Sequence, residues 1–400
     1  MITNGIFNKI NYSVIVRLFF SVLLIMQIIY FFKVMVFISQ DRCVTSFYDD
    51  DASFHIGIVK KTELYKSNAW YVYGPFTYRM AKVLSGFIPL SFVEKNSLSS
   101  SIESRYHLSL VLTNIISLFT LCFFVSLSLG LSDIGTFLAS FSIMLSAFSS
   151  NEIWAKFFLR PYPDPLLCGV VGCGFFFFMR YPGFFISKTS FDIDTKKILQ
   201  SVVLQGCIWG IALSIKMTAF PVVIAILGVL FFFGKGLRKE IFISFCLSVI
   251  LTYLFVGFPQ SLELLPVFNS LKNIKYTYVS SFFDFSYSIP YMFSFMKEFI
   301  SQFIKPFLVI ILISMFFPLR QTIGLNFVYV KRTLSGLMII FIWILFFLYQ
   351  PTFAPFYHYP MVIVSGAVVV CCYIIPVICE PIKKYIFVFL KRDLKKIVLF

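Results

Sequence analysis

Apolar residues in this chain come in long unbroken runs, not in the one-sided stripes of a soluble helix or the alternation of a half-buried strand. The first, opening "LFFSVLLIMQIIYFF" at Leu18, already approaches the ~20 residues that cross a bilayer. Runs of this kind predict ten spans, at 18–39, 107–129, 132–149, 165–180, 198–215, 218–234, 240–257, 300–318, 333–349 and 359–379. The fourth is short, and the fifth and sixth are parted only by "KMTAFP". Lipid offers no hydrogen bonds to the backbone, so each span must be helical. The expected fold is an all-α polytopic integral membrane bundle of about ten spans, one domain over residues 1–400.

Three stretches interrupt the runs: loops at 40–106 and 258–299, and a basic tail at 380–400. Loops of this length tend to carry function. Within the first, "DASFHIGIVKKTELYK" sets Ala52, Ile56, Val59 and Leu64 along one side, with Lys60, Lys61 and Lys66 elsewhere. After it, "WYVYGPFTYRMAKVLSGFIPL" breaks at Gly74-Pro75 and resumes as a second amphipathic stretch. These predict two interfacial helices joined by a turn, a lid or platform against the bundle.

Composition strengthens the membrane reading. Hydrophobic residues make up 59% of the chain, charged residues 13%, and mean hydropathy is +0.89, whereas a globular chain carries roughly 25% charged residues. The 54 phenylalanines suit lipid-facing and interhelical packing. Of nine cysteines, all but Cys43 lie in apolar runs as small hydrophobes, without metal-binding spacing. Lys9 and Arg17 precede the first run as in a secretion signal, but the run is too long and lacks a small-residue cleavage site, so it is expected to be a retained span.

The net charge of +16 is unevenly placed. Alternate connections hold Arg180, Lys188, Lys196 and Lys197, then Lys235, Arg238 and Lys239, then Arg320, Lys331 and Arg332, and the tail adds six more basic residues. The opposite short loops hold only Lys156, Arg160 and Lys216. By the positive-inside rule both termini are expected in the cytoplasm, and the loops at 40–106 and 258–299 outside. The basic tail would also attract anionic lipid. Basic residues scattered around spans do not suggest nucleic-acid binding.

Just after the first span stands "FYDDDASFHIG". Crowding Asp49, Asp50 and Asp51 disfavours ionising all three, so at least one should hold its proton more tightly unless a cation intervenes. A divalent metal on oxygen ligands from the triplet would relieve that crowding. In a helix, His55 shares a face with Asp51 and could add a nitrogen ligand, giving Asp50, Asp51 and His55 as a candidate metal set. The simpler reading is that Asp49 or Asp50 caps the helix that follows, which does not exclude chemistry.

Read together, "YDDDASFHIG", "YGPFTYRMAKVL", "LRPYPDPLLCGVVGCGFFFF", "GIALSIKMTAFPVVIAIL" and "FYHYPMVIV" resemble, in order, the GT-C superfamily of membrane glycosyltransferases. The chain departs from the family pattern in having Asp51 where Glu is frequent and in the wider Arg-to-Asp spacing of "RPYPDP". The resemblance implies transfer of a sugar from a polyprenyl-phosphate donor to a glycan, lipid or protein acceptor on the outer side of the membrane, in bacteria the inner membrane. It implies Asp50 as general base, aligned with the first acid of the family pair, with Asp51 and Asp49 as supports. It also implies cations for the lipid phosphate, for which Arg160, Lys216 and His358 are the candidates. Each has a plainer alternative: Arg160 pairing with Asp164 or snorkelling to headgroups, Lys216 snorkelling, His358 hydrogen bonding at the interface. His107 and Glu152 are weaker candidates.

No Gly-Lys-Ser/Thr phosphate loop, Gly-x-Ser-x-Gly elbow or His-Glu-x-x-His helix is present, so the sequence does not support nucleotide hydrolysis, serine hydrolase or zinc protease chemistry. Two rival readings are an O-antigen-type polysaccharide polymerase and a lipid-linked glycan transporter or flippase. The first would use arginines in a large late loop, and 258–299 has none. The second predicts internal repeats and charged or broken helices near mid-membrane; no repeat is evident, and Lys33 lies near the end of its span.

Overall fold

The computed structural model describes residues 4–40, 50–62, 74–93, 98–131, 133–180, 195–233, 238–258, 285–317, 327–348 and 358–397. Among them the regular structure is helical throughout. In chain order the helices are α1 (Asn4–Gln40), α2 (Asp50–Lys61), α3 (Pro75–Phe87), α4 (Leu98–Ser128), α5 (Ile134–Ser149), α6 (Glu152–Leu159), α7 (Asp164–Arg180), α8 (Thr195–Ile215), α9 (Phe220–Phe233), α10 (Arg238–Gly257), α11 (Phe285–Phe316), α12 (Phe327–Leu348) and α13 (His358–Ile397). Asp49, the stretch "WYVY" and most of the 258–299 loop lie outside the described residues.

Every predicted span falls on a helix. Seven, within α1, α4, α8, α10, α11, α12 and α13, are long and apolar enough to cross a membrane by themselves. The third predicted span, 132–149, ends where α5 ends, at Ser149; there the chain bends by 91° into the short α6, and the two together form a bent pair. Asn151 causes the break by accepting a hydrogen bond from Ile153 N (3.0 Å), which starts α6 on its own cap. The helices α7 and α9 are shorter, at 17 and 14 residues. The expected tail is not separate, since α13 runs through it to Ile397.

The bundle is built around α7, whose sides are taken up by α4, α8 and α13. Small residues let the backbones approach, as is usual where lipid gives no hydrophobic drive to helix association. Gly169 lies on Ser117 of α4, and Gly172 touches both Leu121 of α4 and Val369 of α13. The Ser117 hydroxyl donates to Pro165 O (2.7 Å) and accepts from Gly169 N (2.8 Å). On the α8 side, Gln205 donates to Gly174 O (3.2 Å) and accepts from Trp209 Nε1 (3.0 Å). By contrast α1 is peripheral: only 11% of its span is buried, against 78% for α13. It is held by Gln27, which donates to Ser142 O (3.1 Å) and Ser146 Oγ (2.6 Å) of α5.

These contacts fix direction. The matched pairs Ser117–Gly169 and Leu121–Gly172 make α4 and α7 parallel, and Gly172–Val369 with the Cys168–Ser365 hydrogen bond does the same for α7 and α13. Their N-termini therefore share one end of the bundle, where α8 also finishes. The two predicted interfacial helices form at that end. They dock on the first turns of α4 through a small second core of Ile56, Ile58, Val59, Tyr78, Ala81, Tyr106 and Leu110. Ile56 and Val59 are buried and Lys60 exposed, as the sequence pattern requires, while Leu64 lies outside the described residues.

Gly74 ties this platform to the bundle. It precedes Pro75 at the start of α3 and donates its N–H to Ile215 O of α8 (2.8 Å). A Cβ on Gly74 would occupy the space of the Ser214 carbonyl, so only glycine allows the approach. Gly86, on the exposed side of the same helix, has open space around it. Gly74→Ala should therefore lower unfolding stability by about 1–3 kcal/mol, as overpacking does. Gly86→Ala should leave stability unchanged or raise it by up to about 1 kcal/mol. Detergent-titration unfolding of the two variants beside wild type checks this; equal stability would show that the α3–α8 contact can relax at no cost.

Candidate functional site at the α7 and α8 termini

α2 begins at Asp50, so Asp50 and Asp51 stand in its first turn, where a helix dipole favours negative charge. The backbone there is described; their side chains are not. One turn on, His55 is 3% exposed and faces inward. Its Nδ1 hydrogen-bonds the Tyr78 hydroxyl at 2.7 Å, its ring stacks on Tyr78, and Tyr162 meets it edge-on at 5.3 Å. His55 thus links the acidic end of α2 to α3 and to the segment before α7.

His55 was also predicted to join Asp50 and Asp51 as a metal ligand; its ring lies in the second core beside Tyr78, with Nδ1 engaged by the Tyr78 hydroxyl. Among the described residues no three His, Cys, Asp or Glu side chains converge to hold a metal.

The segment carrying Arg160 is held from both sides. Before it, α6 is anchored by Trp154, which is fully buried and donates to Gln302 O of α11 (3.4 Å). The nearby Lys305 Nζ contacts Ser150 Oγ at 2.6 Å. Beneath it, Asn114 of α4 donates through Nδ2 to Arg160 O (2.7 Å) and Tyr162 O (3.0 Å). Prolines at 161, 163 and 165 keep this stretch extended until α7 starts. The Arg160 guanidinium lies 5.7 Å from the Tyr162 ring, on the residue that touches His55.

The charges at the ends of α7 and α8 meet directly. Lys216, 3% exposed, is ion-paired with Asp164, 5% exposed and the first residue of α7. Lys216 is therefore not snorkelling to headgroups. Its predicted turn is real: α8 stops at Ile215 and a 3-10 turn, Met217–Ala219, leads into α9. His358 opens α13; the parallel register with α7 sets it at this same end, level with about residue 161, although its side chain is outside the description.

Other charges brace the platform. Lys60 pairs with Glu103 of α4 (3.7 Å), and Lys82 contacts the Tyr106 hydroxyl (3.0 Å) and Lys60 O (3.2 Å). Arg79 of α3 donates to Val256 O (2.9 Å) and to Phe258 O beyond α10. Burial lowers the Arg79 pKa, yet arginine stays charged in proteins.

Helices α2, α3, α4, α7, α8 and α13 thus bring Asp50, Asp51, His55, Arg160, Lys216 and His358 to one end of the bundle. Sequence reading named those six; it did not identify Tyr78, Tyr162 and Asn114 as the residues that position them. Tyr78 and Tyr162 both lie in stretches that carried the family resemblance, "YGPFTYRM" and "LRPYPDP". Nothing in the apolar surroundings of Asn114 marked it.

No protein-family model and no curated protein sequence matches the chain. Solved structures with this arrangement include ArnT from Cupriavidus metallidurans bound to undecaprenyl phosphate, at a TM-score of 0.53, and the same protein in the apo state, at 0.51. Each is 14% identical to this chain and covers 87% of it. The chain in turn spans 59% and 58% of those chains, less than two thirds of their length. At this identity the likeness is one of fold: the chain has the helical arrangement of ArnT over most of its own length.

Proposed function

We propose that this protein is a GT-C-type glycosyltransferase that moves a sugar from a polyprenyl-phosphate donor to an acceptor hydroxyl at the membrane face holding the α7 and α8 termini. The single observation that carries the reading is the meeting of an acidic helix start with buried and half-buried cations at one end of an ArnT-like bundle. The positive-inside reading makes that end the outer one, in bacteria the periplasmic side of the inner membrane. The sugar and the acceptor, whether glycan, lipid or protein, are for the substrate panel to identify.

In the proposed reaction a carboxylate in the first turn of α2, Asp50 first and Asp51 beside it, takes the proton from the acceptor hydroxyl. The freed oxygen attacks the anomeric carbon from the face opposite the phosphate. The bond from that carbon to the phosphate oxygen breaks, and the electron pair leaves with the polyprenyl phosphate. Arg160, Lys216 and His358 supply the positive charge that the leaving phosphate needs. Asp164 sets the position of the Lys216 ammonium, while Tyr162 and Asn114 set that of Arg160.

The transport reading predicts a helix broken near mid-membrane, whereas the 91° break between α5 and α6 comes after all 16 residues of α5, toward the end of the bundle that holds Arg160. A transporter would move its lipid-linked glycan without forming a new glycosidic bond, so an assay for chemistry separates the two.

With purified protein, labelled sugar should pass from one member of a polyprenyl-phosphate donor panel to acceptors in a membrane extract. Asp50→Asn should reduce turnover by about 10²–10⁴-fold, the usual worth of a general base, while donor binding survives. Undiminished transfer by Asp50→Asn would overturn that assignment, and the same assay on Asp51→Asn decides between the neighbours.

The ion pair has a separate signature. Asp164→Asn or Lys216→Met alone should cost about 3–5 kcal/mol of stability, because each leaves a buried charge without its partner. The double variant should regain most of that stability, yet transfer should stay about ten- to a hundredfold down, the loss of one charge-assisted contact to the phosphate. Recovery of transfer together with stability would reduce Lys216 to a structural role.

A further inference from the structure

The end of the bundle opposite this site has chemistry of its own. A cavity of about 480 Å³ lies there, within the 300–1,000 Å³ typical of small-molecule sites. Two arginines line it: Arg180, the last residue of α7, and Arg332, in the second turn of α12. Since α7 is 17 residues long, the cavity sits about 24 Å from Asp164, at 1.5 Å per residue. It is a separate site, and the case for it does not depend on sugar transfer at the other end.

The walls divide into a cationic part and an apolar part. Arg332 is half-buried, its guanidinium 5.5 Å from the Tyr329 ring and 5.6 Å from the Tyr373 ring. Among the described residues, Arg332 Nε has no hydrogen-bond partner. Ser128 and Tyr373 add hydroxyls to the lining, while Leu131, Phe137 and Pro376 form an apolar wall. Among the described residues, no acidic side chain lines it. The nearest acid in sequence, Asp133, caps α5 through Gly135 N (2.7 Å) and Thr136 N (3.1 Å) and faces Arg17 at 3.9 Å. Gly130, at φ 62°, ends α4 in the left-handed conformation and turns the chain along the cavity rim.

Two like charges facing one cavity repel, and an anion between them turns that repulsion into attraction. Planar guanidinium edges match phosphate oxygens two at a time. We propose that this cavity binds a phosphate group, carried by an anionic phospholipid whose glycerol and first methylenes lie on the apolar wall, or free in solution. In the positive-inside orientation this is the cytoplasmic leaflet, whose surface is rich in anionic lipid.

The test uses the full purified chain in detergent with dioleoylphosphatidylglycerol, dioleoylphosphatidylcholine and inorganic phosphate as probes. Binding is read by native mass spectrometry for the lipids and by thermal unfolding for phosphate. Wild type should retain phosphatidylglycerol in preference to phosphatidylcholine. Arg332→Gln should weaken that retention by about tenfold, and Arg180→Gln/Arg332→Gln further, each lost contact being worth roughly 1.5 kcal/mol or more. Arg180 is exposed, so Arg180→Gln alone should keep the fold while weakening retention in the same direction. Protection by inorganic phosphate that the double variant loses, with no preference between the lipids, would support the site with free phosphate as its source. Equal lipid retention and equal phosphate response in wild type and a monodisperse double variant would overturn the proposal. So would a loss confined to a Lys391→Gln/Lys395→Gln tail variant.

Discussion

The buried pair of Asp164 and Lys216 is the interaction on which the candidate site depends. Each charge is almost without solvent exposure, and neither could stay ionised there alone, because desolvation of a lone buried ion costs several kcal/mol. The pair therefore requires the first turn of α7 and the last turn of α8 to remain together. Both ends carry passengers. The extended "RPYP" stretch with Arg160 enters α7 beside Asp164, and Gly74 hangs the platform of α2 and α3 on Ile215, one residue before Lys216.

The rest of the bundle supports that junction by keeping α7 central. Glycines and serines let α4, α8 and α13 close on it with backbone groups satisfied by neighbouring side chains, so the helices hold a fixed register without soluble-type hydrophobic drive. A fixed register is what lets residues far apart in sequence arrive at one level. It places the N-termini of α4, α7 and α13 at one end, and with them the acids of α2 and the cations of the site. It also leaves the opposite end to Arg180 and Arg332.

Much of this was legible in the residues. Long apolar runs specify helices because lipid gives the backbone no other partner, and each predicted span did become a helix. The two amphipathic stretches of the first loop became α2 and α3, with Ile56 and Val59 inside and Lys60 outside. The third span was legible in its end at Ser149, where Ser150, Asn151 and Glu152 interrupt the apolar run, but not in the 91° turn that the chain then takes. His55 was legible as a residue of interest, but its contacts with Tyr78 and Tyr162 were not. Helical periodicity says which residues share a face with it, not which neighbour that face will meet.

The sequence by itself determined that the chain is a helical membrane bundle, where its helices run, and which charges interrupt the apolar text. Those properties are local, set by backbone hydrogen bonding and by the cost of moving each side chain out of water. Only the tertiary structure decided that Lys216 pairs with Asp164, that Tyr162 joins His55 to Arg160, and that Arg180 and Arg332 share a cavity. These partners lie tens to hundreds of residues apart, and the close packing of glycine-faced helices around α7, which no local pattern encodes, is what brings them together.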